Sequence, residues 1–171
     1  MTWSAVATTV CAGALIAALS PSELYAQNIT QVQVRIKTSS NSSSLGIANA
    51  GTDGNVYLGL GGREFYLDRP LPDFDAGADE LFVLGTSANV VNPSGSDPRS
   101  LTFNQAHGYP VYLRLSEIID DDWTVDYVEV HIFSNNTPAS FSWNALGSLN
   151  DNQRLRLGRT SGSLIYLTRT D

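Results

Sequence analysis

After an apolar stretch at the N-terminus, hydrophobic and polar residues alternate along much of the chain. Gln31-Val32-Gln33-Val34-Arg35-Ile36-Lys37 puts valine and isoleucine on one face and polar residues on the other. That is the period-2 pattern of a half-buried strand. Val56-Tyr57-Leu58-Gly59-Leu60 and Glu64-Phe65-Tyr66-Leu67 flank Gly61-Gly62, and a two-residue glycine turn between two such runs predicts a β-hairpin. Leu81–Leu84 is a short apolar run, and Val111–Leu115 alternates. From Trp123 to Phe133, Val128, Val130 and Ile132 face one way and Glu129 and His131 the other. Arg154–Leu157 and Leu164–Leu167 complete a set of about eight strands. No stretch after Gln27 sustains the three-and-four apolar spacing of a helix. Short strands separated by Gly, Ser, Asn and Asp loops predict an all-β fold, an eight-stranded antiparallel β-sandwich. The longest loops fall at 38–54 and 85–110. The second holds Asn92-Pro93, Asp97-Pro98 and Tyr109-Pro110, and proline belongs outside central strands.

Residues 2–19 are apolar or small and uncharged, and Ala26 precedes Gln27. A short apolar core followed by a small residue at the cut reads as a helical signal peptide over residues 1–26. The mature chain, 27–171, is then one domain, secreted to the extracellular space or periplasm. Cys11, the sole cysteine, lies in the leader, so no disulfide framework is expected. The 171 residues are 42% hydrophobic, too many for a disordered chain. Ten Lys+Arg against 17 Asp+Glu give a net charge of -7, and Lys37 is the single lysine. Nucleic acid is excluded as a partner, because its phosphates require clustered Lys and Arg. A monomer is expected.

The carboxylates gather in three places: Asp53; the segment Asp68, Asp73, Asp75, Asp79 and Glu80; and Asp120, Asp121, Asp122 with Asp126. Each lies where a strand meets a loop. Carboxylates crowded on loops repel one another unless a cation neutralises them, and calcium prefers six to eight oxygen ligands of the kind loops supply. The bland alternative is a set of solvated loop acids. Asp73–Asp79 resembles the start of an EF-hand loop, but its twelfth position is Leu84 and no helices flank it. Catalytic patterns are missing. The two histidines, His107 and His131, form no zinc-ligand spacing, and Gly85-Thr86-Ser87-Ala88-Asn89 fails as a nucleophile elbow. The chain is read as a non-enzyme.

Three segments share a further likeness. Ala50-Gly51-Thr52-Asp53-Gly54-Asn55-Val56-Tyr57-Leu58, the run Phe65–Asp68 leading into Asp73–Asp79, and Asp121-Asp122-Trp123-Thr124-Val125-Asp126-Tyr127 occur in this order. Together they closely resemble the PLAT (lipoxygenase-homology) domain family, over about residues 31–132. The resemblance implies an eight-stranded sandwich that docks to membranes or proteins, often with calcium in loops at one end. It implies a metal site from Gly51, Thr52, Asp53, Asp68, Asp73, Asp121 and Asp122. Asp68, Asp73 and Asp121 would ligate through side chains, and Gly51, Thr52 and Asp122 through carbonyls. Calcium-rich members read Asn-Pro-Gly-Asn-Asp or similar where this chain has Arg69-Pro70-Leu71-Pro72-Asp73. That puts a cation beside the site and leaves one or two weak sites, with affinity on the order of 10⁻⁴–10⁻³ M. The family's apolar loop corresponds to Ile118-Ile119, which would contact a membrane. Trp123 and Phe74 read as core plugs. The expected function is calcium-assisted docking to a lipid surface or partner protein. The alternatives are a metal-free structural or protein-interaction sandwich and a carbohydrate-binding module.

Overall fold

In a computed structural model, the described residues are 26–40, 50–116, 121–134, 137–144 and 154–170. The leader expected over 1–26, apart from Ala26, lies outside them, as do Ile118, Ile119 and Asp120. Among the described residues there are ten strands: β1 (Gln31–Thr38), β2 (Asn55–Leu60), β3 (Arg63–Leu67), β4 (Asp79–Gly85), β5 (Tyr112–Ser116), β6 (Trp123–Ser134), β7 (Thr137–Asn144), β8 (Leu155–Leu157), β9 (Leu164–Tyr166) and β10 (Thr168–Arg169). One sheet runs β10-β7-β6-β1-β4, with β8 also paired to β6. The other runs β3-β2-β5-β9. All pairings are antiparallel. The all-β sandwich follows the sequence pattern, with β7 and β10 added to the eight strands expected.

The inward faces are those the alternation assigns. Val32, Val34 and Ile36 of β1 are buried, as are Val128, Val130 and Ile132 of β6 and Phe82 and Leu84 of β4. They meet Val56, Leu58, Leu60, Phe65, Leu67, Leu113 and Leu115 of the second sheet in one core cluster. Val34 pairs with both Phe82 and Val130, which places β1 between β4 and β6 in its sheet. Between Lys37 and Thr38 the partner on β6 jumps from Tyr127 to Val125, leaving Asp126 as a bulge. A bulge reverses the alternation of the strand that carries it. Trp123 and Val125 therefore join Val128 and Val130 in the core. The Trp123 indole Nε1 donates to Thr38 Oγ1 at 3.0 Å.

Gly61 and Gly62 both have positive φ, 60° and 76°, and close the β2–β3 hairpin. Two successive positive-φ residues match the right-handed twist of the flanking strands, which is why glycine serves there. The 85–110 connection, expected to be a loop, contains one short helix, α1 (Phe103–Gly108). Thr102 caps it, with Oγ1 accepting from Gln105 N at 3.2 Å and Gln105 Oε1 accepting from Thr102 N at 2.9 Å. Phe103 and Ala106 go into the core. One turn and a half is too short to produce a readable helical period.

Candidate functional site

Three loops meet at one end of the sandwich, and backbone contacts bring them there. Thr52 N donates to Phe74 O at 3.2 Å, and Thr124 N to Ala50 O at 3.0 Å. Gly77 N donates to Ser39 O at 3.0 Å. A Cβ on Gly51 would stand 2.6 Å from Phe74 O, so only glycine lets the 50–54 and 73–77 loops touch. Thr52 Oγ1 donates to Asp121 Oδ2, which draws the third loop in, and accepts from Gly54 N at 2.9 Å. The result is an open cavity of about 260 Å³ lined by residues that include Thr52, Asp53, Asp68, Leu71, Asp73 and Asp75.

Phe74 anchors the middle loop. Its φ is 61°, a region few aromatic residues occupy. Its ring stacks on Phe82 at 5.2 Å and meets Trp123 edge-on at 5.1 Å. Such a backbone costs of order 1–3 kcal/mol and persists only when its surroundings over-determine it. Here a buried charged network does so. Arg69 Nε donates to Asp73 Oδ1 at 2.8 Å, and its backbone N to Asp73 Oδ2 at 2.6 Å. Arg69 Nη2 donates to Glu80 Oε1 at 2.6 Å, while Phe74 N donates to Glu80 Oε2 at 2.8 Å. The side chains of Asp73, Glu80 and Arg69 are 8%, 6% and 20% exposed. The guanidinium also lies over the Phe82 ring at 5.1 Å.

The carboxylates of this end therefore fall into two groups. Asp73 is held by Arg69, Asp121 accepts from Thr52, and Asp122 pairs with Arg156 of β8. Asp126 pairs with Arg154 at 3.1 Å, so Arg154 and Arg156 balance the neighbouring acids. The side-chain carboxylates of Asp53 and Asp68 have no hydrogen-bond or ion-pair partner among the described residues, although the Asp68 carbonyl accepts from Val91 N at 2.8 Å. Burial, and then the Asp73 carboxylate, push the Asp68 carboxyl above the ordinary aspartate range. Burial does the same to Glu80, opposed by the Phe74 amide and Arg69.

The residues expected to hold calcium are thus only partly placed for it. Gly51, Thr52, Asp53, Asp68, Asp73 and Asp121 share one rim, whereas Asp122 is engaged by Arg156. No group of three or more His, Cys, Asp or Glu side chains among the described residues is arranged to hold a metal ion. The seven residues do not fit one closed coordination sphere, because Arg69 already supplies the positive charge between Asp73 and Glu80. An open rim bounded by Asp53 and Asp68 remains. In the sequence Glu80 is one clustered carboxylate among several and Leu71 one residue of a departing loop; the alternation of β4, which sets Glu80 on the face of Phe82 and Leu84, is the signal that separates it from the solvated acids. Leu71 is 69% exposed at the cavity mouth.

No family model and no curated protein matches the sequence. Among solved structures, the Clostridium perfringens alpha-toxin isolated from avian strain SWCP is similar at a TM-score of 0.52 and 18% identity, over 87% of this chain and 34% of the toxin chain. The alpha toxin from Clostridium absonum is similar at a TM-score of 0.50 and 18% identity, over 83% of this chain and 32% of that one. The chain spans about a third of the length of these toxins. At this identity the likeness is one of fold, and it fits the PLAT-like sandwich that the sequence resembles.

Proposed function

We propose that this chain is a non-catalytic docking module that presents its acidic rim to a lipid surface, with calcium assisting. One observation carries the reading. Three loops from distant parts of the sequence converge on a rim where the Asp53 and Asp68 carboxylates lack a counter-charge among the described residues, beside the exposed Leu71. Asp53 and Asp68 would hold the ion. A bound calcium would neutralise the rim and accept phosphate oxygens of anionic headgroups. Burying Leu71 in lipid would contribute roughly 1.5–3 kcal/mol. Arg69 folds the middle loop from within, so the ion is needed for contact and not for loop structure. A leader over 1–26 would deliver the chain outside the cytoplasm, where weak calcium sites operate.

Co-sedimentation of the full chain with vesicles of phosphatidylserine and phosphatidylcholine tests this. Binding should require calcium and phosphatidylserine, weaken several-fold in Leu71→Ala, and lose its calcium dependence in Asp68→Asn. Equal binding in calcium and in chelator would favour the metal-free sandwich. No binding to either vesicle would reject lipid docking.

A further inference from the structure

The outer face of the β3-β2-β5-β9 sheet carries its own arrangement of side chains, away from the acidic rim. Strand register sets two rungs across it. One is Tyr66, Tyr57, Arg114, Leu164, and the next is Glu64, Gly59, Tyr112, Tyr166. The alternate residues Val56, Leu58, Phe65, Leu113 and Ile165 point into the core. The second rung lies toward the Gly61-Gly62 turn, the end of the hairpin remote from Asp53 and Asp68.

Gly59 gives this rung its shape. A Cβ there would stand 2.2 Å from two ring carbons of Tyr112, so the ring lies across the bare backbone. The Tyr112 hydroxyl donates to Glu64 Oε1 at 3.1 Å, which fixes the ring in place. Tyr166 stands beside it, ring centroids 6.0 Å apart at 68°, and is 63% exposed. Floor and wall thus form an aromatic corner. Along the first rung, Arg114 Nε and Nη2 donate to the two oxygens of Glu64 at 2.6 and 2.7 Å. The same guanidinium covers Tyr57 at 4.5 Å, and Tyr57 pairs with Tyr66 at 5.3 Å.

We propose that this face binds an uncharged polysaccharide, with one pyranose ring in the Tyr112–Tyr166 corner and its hydroxyls against Glu64 and Arg114. Charge selects the occupant. In a chain of net charge -7 these rungs hold one carboxylate and one guanidinium, paired to each other. An anionic lipid or nucleic acid finds no excess positive charge there, and a basic peptide no excess negative charge. An uncharged partner suits the face. It must be flat enough to lie on rings and must carry hydroxyls for a fixed carboxylate and guanidinium. A pyranose offers an apolar C–H face and a polar edge, which match a ring that is apolar in body and polar at its tip. Four strands at about 4.8 Å spacing give a platform of about 14 Å, enough for a short run of sugar units.

Native affinity electrophoresis of the full chain tests this, in gels containing hydroxyethylcellulose, laminarin or galactomannan. The acidic chain should be retarded in at least one of the three. Tyr166→Ala and Tyr112→Ala should each weaken retention at least about five-fold, as expected when one stacking ring is removed. Tyr112→Phe should retain it. Tyr166→Ala deletes an exposed ring and should melt like the wild type, so it decides the matter if Tyr112→Ala folds poorly. Asp68→Asn and Leu71→Ala, at the other end, should be retained normally, which separates this proposal from lipid docking by the rim. Free migration in all three gels would overturn the proposal. So would undiminished retention of Tyr166→Ala. Loss of vesicle binding in Tyr166→Ala without retention in any glycan gel would reassign the face to lipid.

Discussion

Replacing Arg69 by methionine keeps an apolar stem over Phe82 and removes the charge between Asp73 and Glu80. Both carboxylates are nearly enclosed, at distances of 2.8 and 2.6 Å from the guanidinium. Removing one partner of a buried pair costs about 3–5 kcal/mol. Arg69 is partly reached by solvent, and the Phe74 amide stays bonded to Glu80. The lower end, about 3 kcal/mol, is therefore expected, which lowers the melting temperature of a domain this size by about 6–12 °C. The loss depends on pH. Burial already raises the Glu80 carboxyl, while the Phe74 amide and Arg69 pull it down, so deleting Arg69 raises it further. An acid raised in the folded state binds its proton more tightly there than in the unfolded chain. Its contribution is then full below the ordinary value of 4.5 and is lost as pH rises through the folded value. The penalty of Arg69→Met should be small near pH 4 and full near pH 8. Scanning calorimetry of both proteins at the two pH values measures it. A loss below about 2 °C at the higher pH, or the same loss at both, would refute the view that this guanidinium holds the loop.

The Asp68 carboxyl is raised by burial and by Asp73, so ionising it opposes folding. Asp68→Asn should raise the melting temperature in chelator at neutral pH, and the gain should vanish as pH falls below the ordinary aspartate value of 3.8. A gain that survives at low pH would point to a cause other than charge. Thr38→Val removes the acceptor of the buried Trp123 indole and should cost about 1–3 kcal/mol in urea unfolding. An unchanged midpoint would mean that the indole finds another acceptor.

Much of the sandwich is legible because its central strands keep one face in the core. β1 and most of β6 alternate cleanly, and Gly61-Gly62 marks the hairpin between them in sequence. Other elements are hidden for identifiable reasons. β7 contains Ala139, Phe141 and Trp143 alternating with serines, but Pro138 and the Ser/Asn content mask it. β10 is two residues long and carries no period. α1 is announced only by its capping pair, Thr102 and Gln105, since six residues cannot display a helical stripe. At the candidate site, the sequence places the acidic residues at strand ends. It cannot say which of them already have partners. Arg69 and Asp73 are four residues apart and could be paired by eye, but the reach of Arg69 to Glu80 depends on how the 69–79 loop folds. Asp122 and Arg156 meet only because β8 adds to the edge of β6. The tyrosine corner likewise depends on β9 pairing with β5.

The internal guanidinium also sets the scale on which calcium can act. A ligand present at its own dissociation constant stabilises a fold by only about 0.4 kcal/mol. A site with affinity near 10⁻³ M, in calcium of similar concentration, would give about that much. Arg69 contributes several times more by the reasoning above, and it does so with no ion bound. Calcium should therefore barely move the melting temperature of the wild-type chain even where it controls vesicle binding. In Arg69→Met the released Asp73 oxygens lie beside Asp68, so calcium should recover a larger part of the lost stability there than it adds to the wild type. A calcium shift equal in the two proteins would show that Arg69 does not stand where an ion could act.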